Sequence, residues 1–381
     1  MFEYFPDNYP WSLSVVWAAE ASGTFSEIHD AIRGLKPQAA AEPAVSGPLW
    51  YDAWSALAAQ RLRVARDMEA RRFVQGAGRG YLRSAIYELM AIRFLSRDDT
   101  RGTHSYASGT DHFLRGLGLL GQTARLLNVP YEHGQLPGLL AIPPGLTKPA
   151  PCLLVFGGFD SLKEWVYPLL IEPCMRRGLA LFVVDQPGVG GALRLFNLPA
   201  VPEAERAASA CIDALEQVPE VDAQRVGLSG ISLGGYYAPR AAAFEPRIAA
   251  CCAWGGIWDL GMLFERNIAE PGKARSIPDM LDHARWVFGA ETKADALAIA
   301  HRMTLEPVIE RITCPLLVLH GANDRQVAGT VSEDTAQRAI NSRHSELKVF
   351  TLEDGGAEHC QLDNTALAAD YMADWFAEAL G

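Results

Sequence analysis

The sequence predicts an α/β protein: a mostly parallel, doubly wound sheet, capped by helices from the amino-terminal region and from an insertion before the penultimate strand. Three observations carry the prediction. From residue 128 onward, short apolar runs bounded by Gly and Pro alternate with helical stretches, the pattern of a parallel sheet covered on both faces. One of these runs, Val226 to Gly235, ends in the G-x-S-x-G pentapeptide Gly230-Ile231-Ser232-Leu233-Gly234, and a helical stretch, Tyr236 to Phe244, leaves from it. The region before residue 128 is helical in periodicity, with little sign of strands.

A chain of 381 residues with 49% hydrophobic content can hold a large α/β core plus an accessory region. Its formal net charge of -11 argues against nucleic acid or an anionic membrane surface as partner, because both call for a basic face. The most basic stretch, Arg61 to Arg72, is interleaved with Asp67 and Glu69 at helical spacing and reads as a solvated helix face. Seven cysteines, an odd number, fall mostly in apolar runs, so they read as buried free thiols of a reducing, cytoplasmic compartment. No C-x-x-C or H-x-x-x-H spacing occurs, and neither a metal nor another cofactor is expected. The start of the chain is acidic and aromatic, and no apolar run reaches about 18 residues, so neither a signal peptide nor a membrane span is expected.

In chain order, Ser55 to Phe73 and Tyr81 to Leu95 place apolar residues three and four apart, and each should bury one stripe. Pro37 to Pro48 and Gly76 to Gly80 read as spacers between helices. The aromatics here, Trp11, Trp17, Trp50, Trp54 and Tyr87 among them, read as packing, with a minority free to line a pocket. Val129 to Glu132 and Leu139 to Ile142 flank His133-Gly134 as a hairpin. The expected core strands are Cys152 to Phe156, Ala180 to Asp185, Val226 to Ser229, Ile248 to Trp254, Leu316 to His320 and Lys348 to Leu352, separated by helical stretches such as Leu162 to Arg176 and Glu203 to Leu215. Trp258 to Arg311 is mainly helical and far longer than a simple crossover, so it reads as an insertion packing with the amino-terminal helices. The expected division is a helical region over 1–127, α/β core over 128–257 and 312–381, and a helical insertion over 258–311.

A serine hydroxyl acting as nucleophile needs a base to take its proton, and the base needs an acid to hold its tautomer. On a strand–turn–helix serine these follow in the order Ser, acid, His, each after a late strand. Ser232 comes first; Asp324 follows the run Leu316 to His320; His359 lies in the loop before the last helix, Asn364 to Leu380. Asp259 is a rival acid and His320 a rival histidine, the latter placed as a core residue at the end of an apolar run. An oxyanion hole is expected from the backbone N–H groups of Leu233 and Phe159, the latter in the loop Phe156-Gly157-Gly158-Phe159-Asp160. Asp160 is unusual beside a developing oxyanion and is a candidate for substrate contact, as are Tyr236 and Trp254 near the elbow. Gly188-Val189-Gly190-Gly191 lacks the third glycine of a dinucleotide loop, because Leu193 stands there, and reads as a plain strand-to-helix loop.

With these residues in view the chain resembles an α/β-hydrolase, within the group that contains 2,6-dihydroxypseudooxynicotine hydrolase and the fungal hydrolases that shorten pigment polyketides. The resemblance runs along G-G-F-D-S-L-K-E (Gly157 to Glu164), G-I-S-L-G-G-Y-Y-A-P-R (Gly230 to Arg240) and E-P-R-I-A-A-C-C-A-W-G-G (Glu245 to Gly256), and more weakly along Y-L-R-S-A-I-Y-E (Tyr81 to Glu88), where the group tends to show Y-Y-R. It implies a serine hydrolase with Ser232, Asp324 and His359 as triad, acting on a small carbonyl compound often cleaved at a carbon–carbon bond. It also implies an acidic residue at Asp160 and a homodimer. Esterase or thioesterase action with the same triad is the first alternative; an inactive hydrolase-like binding protein is the second.

Overall fold

A computed structural model describes residues 2–41, 43–270 and 275–381. Glu42, within the expected spacer, and residues 271–274, within the expected insertion, lie outside it. Its centre is an eight-stranded sheet of order β1-β2-β4-β3-β5-β6-β7-β8. The strands are β1 Arg125–Tyr131, β2 Gly134–Ala141, β3 Ala150–Phe156, β4 Ala180–Val184, β5 Val221–Ile231, β6 Ile248–Trp254, β7 Leu316–Gly321 and β8 Ser345–Phe350. The hairpin β1–β2 is antiparallel and joins β4 antiparallel; every other pairing is parallel. The parallel strands therefore end at one common edge, and β3, β5, β6, β7 and β8 deliver their following loops to it.

Alternation along the strands sends successive side chains to opposite faces. On β3, Cys152, Leu154 and Phe156 enter one core with the helices Glu205–Leu215 and Gly234–Ala242 and with the insertion helices Leu260–Ala269, Met280–Val287 and Lys293–Ala300. Leu153 and Val155 enter the other, with Lys163–Arg176, the last helix Thr365–Leu380 and the amino-terminal helices. The amino-terminal helices thus share a core with one face of the sheet, while the insertion packs on the other. The insertion was expected to pack with those helices; the two meet at the sheet edge, where Arg93 Nη2 donates to Ser276 O at 3.3 Å.

A fully buried ionic cluster also ties the helix Arg101–Leu119 to the sheet. Lys163 Nζ donates to Glu164 Oε1 (2.6 Å), Asp185 Oδ2 (3.1 Å) and the Tyr106 hydroxyl (2.6 Å), while Tyr106 donates to Asp185 (2.6 Å) and Thr110 to Glu164 (2.7 Å). Pairing offsets the desolvation of these charges, so the cluster fixes how the helix docks more than it adds net stability.

Two sequence expectations are corrected. Gly76 to Gly80 is no spacer: it lies within the helix Val74–Ala91, next to the long helix Pro43–Ala70. These glycines let helices approach closely. A Cβ on Gly80 would sit 2.9 Å from Ala65 Cβ, and one on Gly78 would sit 2.8 Å from Leu120 Cγ. The last strand spans Ser345–Phe350, shifted toward the amino terminus from the expected Lys348 to Leu352. It is an edge strand, so its polar residues pair in the ladder without burying a face.

All seven cysteines are free and buried. No helix of the described residues is long and apolar enough to cross a membrane, and among them no group of three His, Cys, Asp or Glu is placed to hold a metal ion.

Helical glycine to alanine ordinarily stabilises by about 1 kcal/mol. Gly118→Ala, with nothing within 4 Å of its Cβ, should show that gain. Gly80→Ala should instead lose about 1–2 kcal/mol, because overpacking exceeds the propensity gain; urea denaturation of the two variants measures the contrast.

Candidate active site

Local chain geometry exposes Ser232. β5 ends at Ile231 and the next helix starts at Gly234, so the chain must turn at Ser232 and Leu233. Ser232 does so at φ 58°, a left-handed conformation costing a non-glycine residue about 1–3 kcal/mol. The flanking glycines make the turn sterically feasible: a Cβ on Gly230 would lie 1.8 Å from Gly234 O, and one on Gly234 2.5 Å from Phe156 O. The Ser232 N–H donates to Trp254 O at 2.8 Å, pinning the turn to β6.

Loops after β7 and β8 bring in the other two groups. His359 Nε2 lies 2.9 Å from Ser232 Oγ, and Nδ1 lies 2.7 Å from Asp324 Oδ2. A carboxylate can only accept there, so Nδ1 carries a proton, and when the ring is neutral its Nε2 lone pair faces the serine hydroxyl. Asp324 Oδ1 accepts from Gln326 N (2.8 Å) and Val327 N (2.9 Å), which leaves the carboxylate well satisfied. Burial opposes charge on both groups. Even so, the charge and hydrogen bond exchanged between them win, raising His359 well above the ordinary histidine value and lowering Asp324 below the ordinary carboxylate value. The two rivals have other duties. Asp259 caps the helix Leu260–Ala269 by accepting from Met262 N at 2.8 Å, and His320 is buried with Nδ1 2.9 Å from Ser332 Oγ.

The loop after β3 runs alongside Ser232: a Cβ on Gly158 would sit 3.1 Å from Ser232 Cβ. Gln186, at the end of β4, grips the loop twice, accepting from Gly157 N (3.0 Å) and donating to Gly157 O (2.9 Å). Gly158 N donates to Ser161 Oγ at 2.8 Å. Among the described residues the N–H groups of Phe159 and Leu233 have no hydrogen-bond acceptor. Left unsatisfied on the residues that follow Gly158 and Ser232, such donors suit a developing oxyanion.

Asp160 lines the Ser232 cavity, and its charge is compensated from a residue the sequence reading passed over. Arg93 Nε (2.9 Å) and Nη2 (2.6 Å) both donate to Asp160 Oδ2, and Arg93 Nη1 donates to Ser14 Oγ at 2.6 Å. The side chains of the pair are only 1% and 8% exposed. The one signal in the sequence was a lone arginine inside the apolar run Met90 to Leu95. Trp254 also lines the cavity, its Nε1 donating to Gln361 Oε1 at 2.6 Å. Tyr236 does not. It is fully buried on the far side of the elbow helix, donates to Pro202 O at 3.0 Å, and packs against Tyr237. The remaining walls are mainly apolar, with Leu13 and Trp17 from the first helix, Val166, Leu169, Ile231 and Leu362. Trp11, Trp50 and Trp54 stack in the helical core instead, with ring centroids 5.0 and 5.2 Å apart.

A sheet of this order, with a serine at positive φ between its fifth strand and the following helix, is that of an α/β-hydrolase. A family model described as esterase FrsA-like matches residues 46–302, and the chain belongs to that family. The chain is 28% identical over 372 residues to the hydrolase LUC6 of a Fusarium species, covering 87% of this chain and 88% of that protein. It is 28% identical over 336 residues to the 2,6-dihydropseudooxynicotine hydrolase of Paenarthrobacter nicotinovorans, covering 87% of this chain and 84% of that protein. The crystal structure of 2,6-dihydroxy-pseudo-oxynicotine hydrolase superposes with a TM-score of 0.77 at 25% identity, over 96% of this chain and 95% of that one. The protein is an enzyme, a hydrolase of the α/β type.

Because the carboxylate outweighs burial at His359, its ring should titrate above pH 6.5 in NMR spectra. In Asp324→Asn the pull of the carboxylate is lost while burial remains, and the midpoint should fall. Arg93→Met should destabilise the fold by about 3–5 kcal/mol, because it strands a buried carboxylate. Adding Asp160→Leu should recover most of that loss in thermal denaturation.

Proposed function

We propose that this is a serine hydrolase in which Ser232, His359 and Asp324 act as a catalytic triad on a ketone, with cleavage of the adjacent carbon–carbon bond. The observation that carries the reading is the position of His359, within hydrogen-bonding reach of both Ser232 Oγ at 2.9 Å and Asp324 Oδ2 at 2.7 Å. His359 takes the serine proton as Oγ bonds to the carbonyl carbon. The resulting oxyanion is received by the N–H groups of Phe159 and Leu233, each such donor typically contributing about 3 kcal/mol in the transition state. The tetrahedral adduct collapses by breaking its bond to the neighbouring carbon, whose electron pair must delocalise, as in a β-diketone or a hydroxylated aromatic ketone. The imidazolium returns its proton to that carbon. Water, deprotonated by His359, then attacks the acyl-enzyme and releases the acid and Ser232. Deprotonation of Ser232 requires neutral His359, so turnover should fall as pH drops through a value above 6.5.

The ketone is favoured by the likeness to 2,6-dihydropseudooxynicotine hydrolase, and the aromatic and aliphatic walls beside Ser232 suit an apolar group next to the reacting carbonyl. Ester hydrolysis by the same groups is the second reading, favoured by the esterase FrsA-like family match. The first steps are identical, and only the leaving group differs.

Ser232→Ala should lower turnover by about a million-fold and abolish labelling by a fluorophosphonate. Near-normal turnover in that variant would overturn the triad. Comparing aromatic β-diketones with p-nitrophenyl esters decides between the readings: fast ester turnover without diketone cleavage would favour the esterase.

A further inference from the structure

The cavity at Ser232 is small, about 30 Å³, roughly the space of two waters. The body of a substrate must therefore extend elsewhere. Across Asp160 and Ser161, which line both, lies a second cavity walled by Arg93, Phe159, Arg194, His283 and Trp286. Arg93, His283 and Trp286 in turn border an outer cleft of about 670 Å³ between the helical region and the insertion. The middle cavity is itself small, about 20 Å³, room for one charged end group, and it shares lining residues with both of the other spaces.

The charges around the middle cavity do not cancel. Arg93 is spent on Asp160 at 2.6 Å. Arg194 has no hydrogen bond or ion pair among the described residues; its guanidinium lies 4.6 Å from the centre of the Trp286 ring. Gly102 leaves room for it, because a Cβ there would lie 3.2 Å from Nη1. Desolvation lowers Arg194 to about 10, against the opposing pull of Tyr106 and Asp185; the residue is half-buried, and among the described residues no acid pairs with it directly. Asp185 itself is engaged by Lys163, Tyr106 and Gly191 N. Burial also lowers His283 to about 4, against the pull of Asp160, which makes it a neutral ring at physiological pH. Its Nε2 sits 3.4 Å from Phe159 O, so it adds no competing charge. A guanidinium lying over an indole, without an acidic partner and bordering a cavity, is matched by a planar oxyanion.

We propose that this middle cavity is a subsite for an organic anion, a carboxylate or ionised enol at the far end of the substrate, bound by Arg194. The subsite deepens the serine-hydrolase reading, on which it rests for the reacting end. Arg194 is a specificity residue here, selecting what is presented to Ser232.

The experiment compares p-nitrophenyl esters of glutaric acid, one with a free distal carboxylate and the other capped as its methyl ester, and titrates benzoate and neutral benzamide by calorimetry. Wild type should prefer the free acid, chiefly through KM, and bind benzoate over benzamide. Arg194→Gln should cut the acid preference by about tenfold or more while leaving turnover of the methyl ester within about twofold, and should lose benzoate binding. Arg194→Lys, which keeps the charge and loses the fork, should retain part of both. Equal losses on both esters, or an unchanged preference in Arg194→Gln, would overturn the subsite. If neither ester is cleaved, the serine reading with these substrates fails. Arg194-dependent benzoate binding would then still uphold the subsite, and its absence would reject it.

Discussion

The structure turns on how little room there is where β5 meets the helix that follows it. Gly230 and Gly234 bring backbone against backbone at distances no side chain tolerates, and the strain of the reversal is concentrated in Ser232 at φ 58°. The whole candidate site is built around that point. The loop after β3 approaches it because Gly158 has no Cβ, and the imidazole reaches it because β7 and β8 end at the same sheet edge as β5. A strained serine is tolerable because the elbow is held by the surrounding core: Gly235 packs on Gly256, and Ser232 N is bonded to β6.

The second organising fact is electrostatic. Asp160 stands beside the place where negative charge would develop, an unfavourable position for a lone carboxylate. Arg93, delivered from the amino-terminal helices, pairs with it at 2.6 Å and also reaches Ser14 and Ser276. One guanidinium thus joins the helical region, the insertion and the loop after β3. Docking of the helices is in this way coupled to the charge state of the site, and the chain could not shed its amino-terminal region without exposing that carboxylate.

Much of the sheet was legible in the sequence because its strands are apolar runs bounded by Gly and Pro; Ile248 to Trp254 matches β6 end to end. Errors arose where local pattern and tertiary use diverge. Gly76, Gly78 and Gly80 carry a turn-like composition, yet they serve as contact points between helices. Tyr236 follows the elbow closely in sequence, but the helix turns it into the core. The meeting of Asp324 and His359 with Ser232 was readable because each follows a strand in the expected order. Arg93 was not, because its partner lies 67 positions away and nothing local marks the pairing.

By itself the sequence determined the order and type of the strands, the elbow and the residue types that could meet there, since periodicity and glycine placement are properties of the local chain. Only the tertiary structure decided which side chains do meet. It put His359 between Ser232 and Asp324, gave Asp259 a capping role, sent the amino-terminal helices and the insertion to opposite faces of the sheet, and left Arg194 without an acid among the described residues. The reason is physical: hydrogen bonds and ion pairs act over a few ångströms, and the packing of distant elements sets which groups come within that range.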